Sequence, residues 1–550
     1  MIYLKKMRLN KNSDKLSIEF LFGSVILISF ITDLLFNDFQ LQRFYNLIEN
    51  ILFAIVLIIP LVFINNKRLF KIYFFISFFF FCLTVYLETA YYYIFNVNIS
   101  PSVIYIFFES NNQEAKEFVT LYLDKYLILY ALIIITIGII PISKKKFELK
   151  IINRTKFVGF KLVYGFILIL IILRITPLRF ENLPYLIVKS FYVVYIESKV
   201  LEKDFYKSEK GIFEDAETTK NKESKLYVVI IGESTTRNNM SLYGYKRNTN
   251  PLLSGRDDLL AYNNVISAHA GTTASITKAL SLRNYESSTK QKGSIIQLLN
   301  AVNFETYWIS NQQPVGWAET DITKLVYSCK NKFYLSTESS EDTRSYDEVV
   351  FNKIDDVLEQ SVTDTFLFVH LQGTHIYYKN RYPESYNIFK SKVSNSLVKN
   401  DSDFDIINEY DNAVLYNDFV VNSIINKINK INKNSFVLYF SDHGEEVFNS
   451  INFIGHNDDL GTLPMYEIPF VLWQSEKFKQ YKKIENDLNR SYMIDDLFHS
   501  IADLCNVKSE FVDVERSIFN SSFKDRKRIL LRNRDYDVLK KMKLEETIKK

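Results

Sequence analysis

Cysteine is nearly absent from this chain. Its 550 residues include three, Cys82, Cys329 and Cys505, and none of them forms a CxxC pair. That excludes a cysteine-based zinc site, which draws on closely spaced thiolates. At most one disulfide, Cys329–Cys505, is available, and it is not expected to form. Net charge is also scarce: 67 Lys and Arg against 63 Asp and Glu leave +4. There is thus no electrostatic case for a nucleic-acid partner. Histidine is missing from the first 268 residues, and all six lie beyond them, which places polar chemistry in the C-terminal part. No internal repeat or low-complexity tract interrupts the chain. The first apolar run lacks a small-residue cleavage site, so no cleaved leader is expected.

What is present divides into an apolar first third and a more polar remainder, and the length calls for two or more domains. Five apolar segments centre on Phe20–Thr32, Ile51–Ile64, Ile72–Leu87, Tyr126–Pro141 and Phe157–Leu173. With flanking residues each approaches the roughly 20 residues that carry a helix across a bilayer. Buried helices of a soluble core are the other reading of such runs. Five in succession, none bearing catalytic-looking residues, argue against it. Lys and Arg mark the inside. Lys5, Lys6, Arg8, Lys11 and Lys15 precede the first segment, and Lys67, Arg68 and Lys71 join the second to the third. Lys144, Lys145, Lys146, Lys150, Arg154 and Lys156 join the fourth to the fifth, while the other two connections are poor in positive charge. The expected topology is therefore N-terminus inside, five spans, and C-terminal domain outside.

The outer connection Asn96–Asp124 contains Ile106–Glu117 and has two readings: a solvated amphipathic helix, or a segment whose Glu114 binds a cationic lipid headgroup. Glu88, an intramembrane carboxylate, is expected at the outer end of the third span, where solvation is cheaper. The expected divisions are a cytoplasmic N-terminus over 1–16, a transmembrane domain over 17–179 and a connector over 180–224. A catalytic domain over 225–525 and a charged tail over 526–550 follow. The apolar first part of the connector suits a membrane surface. The tail is expected to be a terminal helix or frayed, with no function assigned.

Beyond Lys225, β-branched apolar runs alternate with amphipathic stretches. Strands are expected at Leu226–Ile231, Thr306–Ser310, Phe366–Leu371, Phe436–Phe440 and Phe470–Trp473. Helices are expected at Ser275–Leu282, Ser294–Val302, Tyr346–Gln360, Tyr410–Lys430 and Met493–Leu504. This is a doubly wound α/β layout with a mostly parallel sheet, and such sheets bind ligands at the carboxyl ends of their strands. Glu233 follows the first strand, and Asp442 with His443 follows the fourth. Two carboxylates and an imidazole suit Zn²⁺, with Mn²⁺ as the alternative.

The run Ala268-His269-Ala270-Gly271-Thr272-Thr273-Ala274-Ser275 reads as a loop entering a helix. A hydroxyl there meets the positive end of the helix dipole and free backbone N–H groups. Thr272 is the expected nucleophile and Thr273 the neighbouring alternative; capping the helix is the commoner role for such residues. His375 and His456 follow short apolar runs and are expected to hold a phosphoryl group or protonate a leaving group.

The run Gly232-Glu233-Ser234-Thr235-Thr236-Arg237-Asn238-Asn239-Met240-Ser241-Leu242-Tyr243-Gly244-Tyr245, with Arg247, Thr249, Asn250 and Pro251, resembles the signature of bacterial phosphoethanolamine transferases. These belong to the alkaline-phosphatase/sulfatase-like superfamily. Ser441–Glu445, Gly373-Thr374-His375 with Arg381-Tyr382-Pro383, Tyr307–Gln312, and Glu467–Phe470 with Trp473 match further family motifs. The resemblance covers essentially the whole chain and implies an alkaline-phosphatase/sulfatase-like α/β domain outside the bacterial inner membrane, anchored by the five spans. It implies zinc on Glu233, Thr272, Asp442 and His443. Thr272 would take phosphoethanolamine from phosphatidylethanolamine and pass it to a lipopolysaccharide core sugar, lipid A or another envelope glycan. His375 and His456 would contact the phosphoryl group or a second metal. Asn311 or Gln312, with Glu114, would contact the donor headgroup. A monomer among membrane lipids is expected.

Two features depart from the family pattern. Ala268–Gly271 has no cysteine where many members place one, and Asn457 stands for the usual glycine. The cysteine-poor pattern is more similar to members acting on core sugars than to disulfide-rich lipid A modifiers. Three other readings compete. A glycerol-phosphate transferase using phosphatidylglycerol fits the spans and the threonine, but not Arg237 with Tyr243-Gly244-Tyr245. A sulfatase-like hydrolase needs a formylglycine precursor; no cysteine lies near Thr272. A membrane-anchored sensor with a dead site is opposed by the intact Glu233, Thr272, Asp442 and His443.

Overall fold

The computed structural model describes residues 15–36, 41–100, 103, 112–143, 146–148, 156–200, 207–219, 223–286, 293–312, 321–336, 345–395, 397–398 and 400–549. Two compact units emerge: Met1–Phe107 with Val119–Tyr195, and Phe108–Phe118 with Ile196–Lys550.

The first unit is helical. Helices α1 (Ile18–Phe36), α2 (Leu41–Phe63) and α3 (Lys67–Phe95) are each long and apolar enough to cross a membrane. Helix α4 (Asn112–Tyr122) turns into α5 (Lys125–Ser143), and Ala115–Tyr122 with Lys125–Pro141 adds a fourth candidate span if the pair, bent by 97°, counts as one. Helix α6 (Lys156–Ile175) covers the fifth apolar run, and α7 (Leu183–Val200) follows it. Large apolar side chains such as Leu35, Ile76 and Phe79 are exposed on these helices. Water would not tolerate so continuous an apolar surface, whereas lipid does. Glu88 differs from expectation: it is buried, and amides rather than solvent satisfy it. Asn46 and Asn50 donate to Oε2 at 3.2 and 3.3 Å, and the Leu183 N–H to Oε1 at 3.1 Å.

The second unit is built on a seven-stranded sheet. In chain order its strands are β1 (Lys225–Gly232), β2 (Leu259–Ala261), β3 (Glu305–Ser310), β4 (Asn331–Tyr334), β5 (Thr365–His370), β6 (Asn434–Ser441) and β7 (Phe470–Gln474). Their spatial order is β2-β7-β6-β1-β5-β3-β4. All neighbours are parallel except the two pairings of β7, so the sheet is mixed but mostly parallel. The central strand β1 is buried along its whole length. Its Tyr227, Val229 and Ile231 enter one apolar layer, and Leu226, Val228 and Ile230 enter the other. Successive strand side chains point to opposite faces, so a strand covered on both faces reads as an unbroken apolar run. Helices α9 (Ile295–Ala301) and α12 (Leu497–Leu504) serve the first layer, while α10 (Val350–Gln360) and the long α11 (Asp401–Lys430) serve the second.

Two segments outside residues 225–525 also pack on this unit. Part of the connector packs on this unit: Phe213 is buried against Phe498, and Glu217–Thr218 pairs with Val507–Lys508. The C-terminal segment is docked rather than frayed. Arg528 is buried and pairs with Asp537, and the hydroxyl of Tyr536, the first residue of helix α13 (Tyr536–Lys549), donates to Glu467 Oε1 at 2.6 Å. Cys329 and Cys505 are free, both buried in the first apolar layer.

Candidate active site

The parallel register aligns the ends of β1 and β6, with Gly232 opposite Ser441. The next residues, Glu233 and Asp442, therefore emerge side by side at the carboxyl edge. The backbone turns sharply there: Ser234 adopts φ 56°, and its N–H donates to Asp442 Oδ1 at 3.0 Å. The His443 N–H donates to the same oxygen at 2.7 Å. Two backbone donors thus pin one carboxylate oxygen. Among the described residues the other, Asp442 Oδ2, is buried without a hydrogen-bond partner.

His443 is oriented by its own backbone neighbour. Its Nδ1 lies 2.8 Å from the Gly444 carbonyl and must donate to it, which turns the Nε2 lone pair inward. Nε2 stands 3.2 Å from Glu233 Oε1 and 3.4 Å from Asp442 Oδ2. Glu233 Oε1 also accepts from the Ser234 hydroxyl at 2.9 Å, and Oε2 from Gln312 Nε2 at 3.2 Å. One ligand atom from each of Glu233, Asp442 and His443 falls within 4.8 Å of the others. A buried orphan carboxylate oxygen, a second carboxylate and an inward lone pair fit a divalent cation such as zinc.

The electrostatics agree. Burial pulls His443 down, but Asp442 and Glu233 outweigh it and raise the imidazole to about 10. Burial, then the charge of Glu233, pushes Asp442 well above the usual carboxylate range. Burial also opposes the ionised form of Glu233, but the hydrogen bond and charge of His443 prevail and hold it well below that range. The two carboxylates and the imidazole therefore compete for protons, and a bound cation would favour their unprotonated forms.

Thr272 opens helix α8 (Thr272–Ala279). Its hydroxyl lies 3.0 and 3.2 Å from the two Glu233 oxygens and 3.3 Å from His443 Nε2. It does not cap the helix; that position belongs to Gly271, which makes no side-chain cap bond. Among the described residues, Thr273 makes no hydrogen bond to Glu233, Asp442 or His443. The helix is held to the end of β6 by the Ser275 hydroxyl, which donates to the Asp442 carbonyl at 2.6 Å.

The remaining expected residues are placed as follows. His375 Nδ1 donates to the Ile376 carbonyl at 2.6 Å. The His456 ring lies 4.1 Å from that of His443, centroid to centroid, and its Nδ1 meets Glu445 Oε2 at 2.7 Å. His443, Glu445 and His456 form a second group able to hold a cation. Gln312 touches Glu233, as above. Asn311 is buried instead, with its amide on Asp347 at 2.9 Å and on the Ser345 carbonyl at 3.2 Å. Glu114 lies on α4, but its side chain is outside the described residues.

Sequence reasoning missed Asp458. This carboxylate accepts from the Ala270 N–H at 2.8 Å and the Tyr466 hydroxyl at 3.0 Å, and pairs with His269 Nδ1 at 2.9 Å. Burial opposes its charge, but His269 and these donors hold it at about 2. Asp458 thus fixes the loop that delivers Thr272. It also missed Tyr410, whose hydroxyl accepts from the Thr236 N–H and donates to the Ser234 carbonyl, both at 2.9 Å. No local pattern announces either residue, because each acts on partners far away in sequence.

Comparison with known proteins places this geometry. Residues 225–507 match the sulfatase family. The chain is 31% identical over 466 residues to phosphoethanolamine transferase EptC of Escherichia coli (strain K12), covering 79% of this chain and 80% of that one. It is 31% identical over 467 residues to phosphoethanolamine transferase CptA of Salmonella typhimurium (strain LT2), with the same coverage. The crystal structure of the C-terminal periplasmic domain of Escherichia coli EptC, in complex with Zn, superposes with a TM-score of 0.56 at 33% identity. It covers 59% of this chain and 96% of that domain. The integral membrane phosphoethanolamine transferase EptA of Neisseria meningitidis shares the fold at TM-score 0.67 and 19% identity, covering 91% of this chain and 97% of that one.

Proposed function

This chain belongs to the phosphoethanolamine transferases of the sulfatase superfamily, and from that premise we propose that Thr272 carries the transferred group. The reading rests chiefly on one observation: the Thr272 hydroxyl, at a helix N-terminus, lies within hydrogen-bond reach of both Glu233 oxygens and of His443 Nε2. The donor is phosphatidylethanolamine. Thr272 Oγ1 attacks phosphorus, the Oγ1–P bond forms, and the bond from phosphorus to the diacylglycerol oxygen breaks. Diacylglycerol leaves with a proton, and phosphoethanolamine stays on Thr272 as an ester. An acceptor hydroxyl then attacks the same phosphorus and regenerates the threonine.

Glu233, Thr272, Asp442 and His443 would hold the zinc. When bound, zinc supplies positive charge that favours the ionised hydroxyl and offsets charge on the phosphoryl oxygens. The side chains supply the rest. Glu233 orients the Thr272 hydroxyl. Gly444 fixes the His443 tautomer through its carbonyl. Gln312 steadies Glu233, and Asn311 or Gln312, with Glu114, contacts the donor headgroup. His375 and His456 contact the phosphoryl group, and the one nearer the departing oxygen can protonate it.

The acceptor is a lipopolysaccharide core sugar, lipid A or another envelope glycan. Five spans (α1, α2, α3, α5 and α6) anchor the protein as a monomer in the bacterial inner membrane, within a transmembrane domain over 17–179. The N-terminus is cytoplasmic, the connector covers 180–224, and the catalytic domain over 225–525 is periplasmic. Adding an ethanolamine cation would lower the negative surface charge of the envelope.

The donor assignment is tested with purified full-length protein in detergent, following diacylglycerol release from phosphatidylethanolamine and from phosphatidylglycerol. Release from phosphatidylethanolamine alone, abolished by Thr272→Ala, is expected. Release from phosphatidylglycerol alone would refute the donor and point to glycerol-phosphate transfer.

A further inference from the structure

Residues 112–118 lie between membrane helices in sequence, yet Phe108–Phe118 clusters with the catalytic unit. Glu117 of α4 is buried there. Its Oε2 accepts from Arg381 Nη2 at 2.6 Å and its Oε1 from Asn380 Nδ2 at 3.4 Å. Both charged side chains are at most 10% exposed. The rest of the Arg381 guanidinium is spent on the loop that bears His375. Nε donates to the His375 carbonyl at 2.8 Å, Nη1 to Gln372 Oε1 at 2.8 Å, and Nη2 to the Ile376 carbonyl at 2.9 Å. The Ile376 carbonyl also receives His375 Nδ1. Gln372 carries the order onward, since its Nε2 donates to the Asn311 carbonyl at 3.0 Å.

We propose that Glu117 is a positioning residue for the transfer reaction: it orients Arg381, which fixes the 372–376 loop and so the His375 imidazole. A buried guanidinium keeps one orientation only while its charge is compensated. Without the carboxylate, Arg381 turns toward another acceptor and the carbonyls of His375 and Ile376 lose their shared donor. The loop then no longer holds Nδ1 to the Ile376 carbonyl, and the His375 imidazole loses its fixed orientation. The segment from the membrane half of the sequence is in this way part of the reaction's geometry. This inference rests on the reading of His375 as a phosphoryl contact.

The test is a double-mutant cycle in the full-length protein, with Glu117→Gln, His375→Ala and both together. Diacylglycerol release from phosphatidylethanolamine is measured as kcat and KM, beside zinc content and melting temperature. Glu117→Gln is expected to lower kcat about tenfold or more, since a misplacement near 1 Å can cost about a hundredfold. The double variant should match His375→Ala within about twofold, because Glu117 acts through that residue. Glu117→Asp should regain part of the loss. Losses that multiply, or a wild-type kcat in Glu117→Gln, overturn the proposal. Loss of zinc and of melting temperature in Glu117→Gln, uncorrected in Glu117→Asp, marks a general folding role and overturns it too. A wild-type rate in His375→Ala removes the role of His375 itself, a separate failure that also overturns the proposal.

Discussion

Gly444→Ala should disable the site through geometry alone. A Cβ on Gly444 would stand 2.1 Å from the Pro464 carbonyl oxygen and 3.1 Å from that of Glu467. Carbon and oxygen do not pack closer than about 3 Å, so roughly 1 Å of movement is required. The Pro464 side cannot easily yield, because Met465, next to it, accepts the Gly444 N–H at 2.8 Å. The displacement therefore falls on Asp442-His443-Gly444, where the Gly444 carbonyl sets the His443 tautomer. Metal ligands tolerate about 0.2 Å. We expect zinc content to fall sharply, turnover to drop about a hundredfold, and stability to fall by about 1–3 kcal/mol from overpacking. Gly271→Ala is the control. It sits one residue before Thr272, a Cβ there meets nothing within 4 Å, and its φ of −175° is extended backbone. It should keep zinc and most of its activity. The assays are metal analysis, thermal unfolding and diacylglycerol release on purified full-length protein. Zinc and turnover near wild type in Gly444→Ala would refute the claim that this strand end is a rigid part of the metal site.

Other consequences follow from the same contacts. Asp458→Ala frees Ala270 and His269 at once and should reduce kcat with little change in KM for the donor lipid, read from initial rates. The Asp458 carboxyl, at about 2 instead of 3.8, corresponds to roughly 2 kcal/mol at about 1.4 kcal/mol per pH unit. Its pKa is depressed on folding, so that stability is present above pH 3.8 and is lost as pH falls through about 2; Asp458→Asn should remove it at neutral pH, as urea unfolding would report. Zinc binding should release the His443 proton at neutral pH, so affinity falls as pH falls; calorimetry in buffers of different ionisation enthalpy measures this. Tyr536→Phe removes a 2.6 Å bond to buried Glu467 and should cost about 1–3 kcal/mol without changing the donor preference.

How much was legible depends on whether the signal is local. The five principal strands were readable because strands covered on both faces must be continuously apolar, as Tyr227–Ile231 and Phe436–Phe440 are. The carboxylate ending each such run exposed Glu233 and Asp442, and parallel pairing brought them together. The edge strands Leu259–Ala261 and Asn331–Tyr334 are short and only partly buried, so they carry no such run. The C-terminal segment reads as a charged tail because Arg528 and Tyr536 are apolar in neither composition nor pattern. They become buried only through partners supplied by the fold, Asp537 and Glu467. The same holds for Asp458 with His269 and for Glu117 with Arg381, pairs whose members lie 189 and 264 residues apart. Tertiary ion pairs leave no period in a sequence.

The central claim is that phosphoethanolamine passes through Thr272. Its most direct measurement is peptide mass spectrometry of the full-length protein after incubation with phosphatidylethanolamine and no acceptor. The account predicts a phosphoethanolamine ester on the peptide that begins helix α8, localised to Thr272 and absent from Thr272→Ala. An ester on Thr273, or diacylglycerol release without any modified protein, would contradict it.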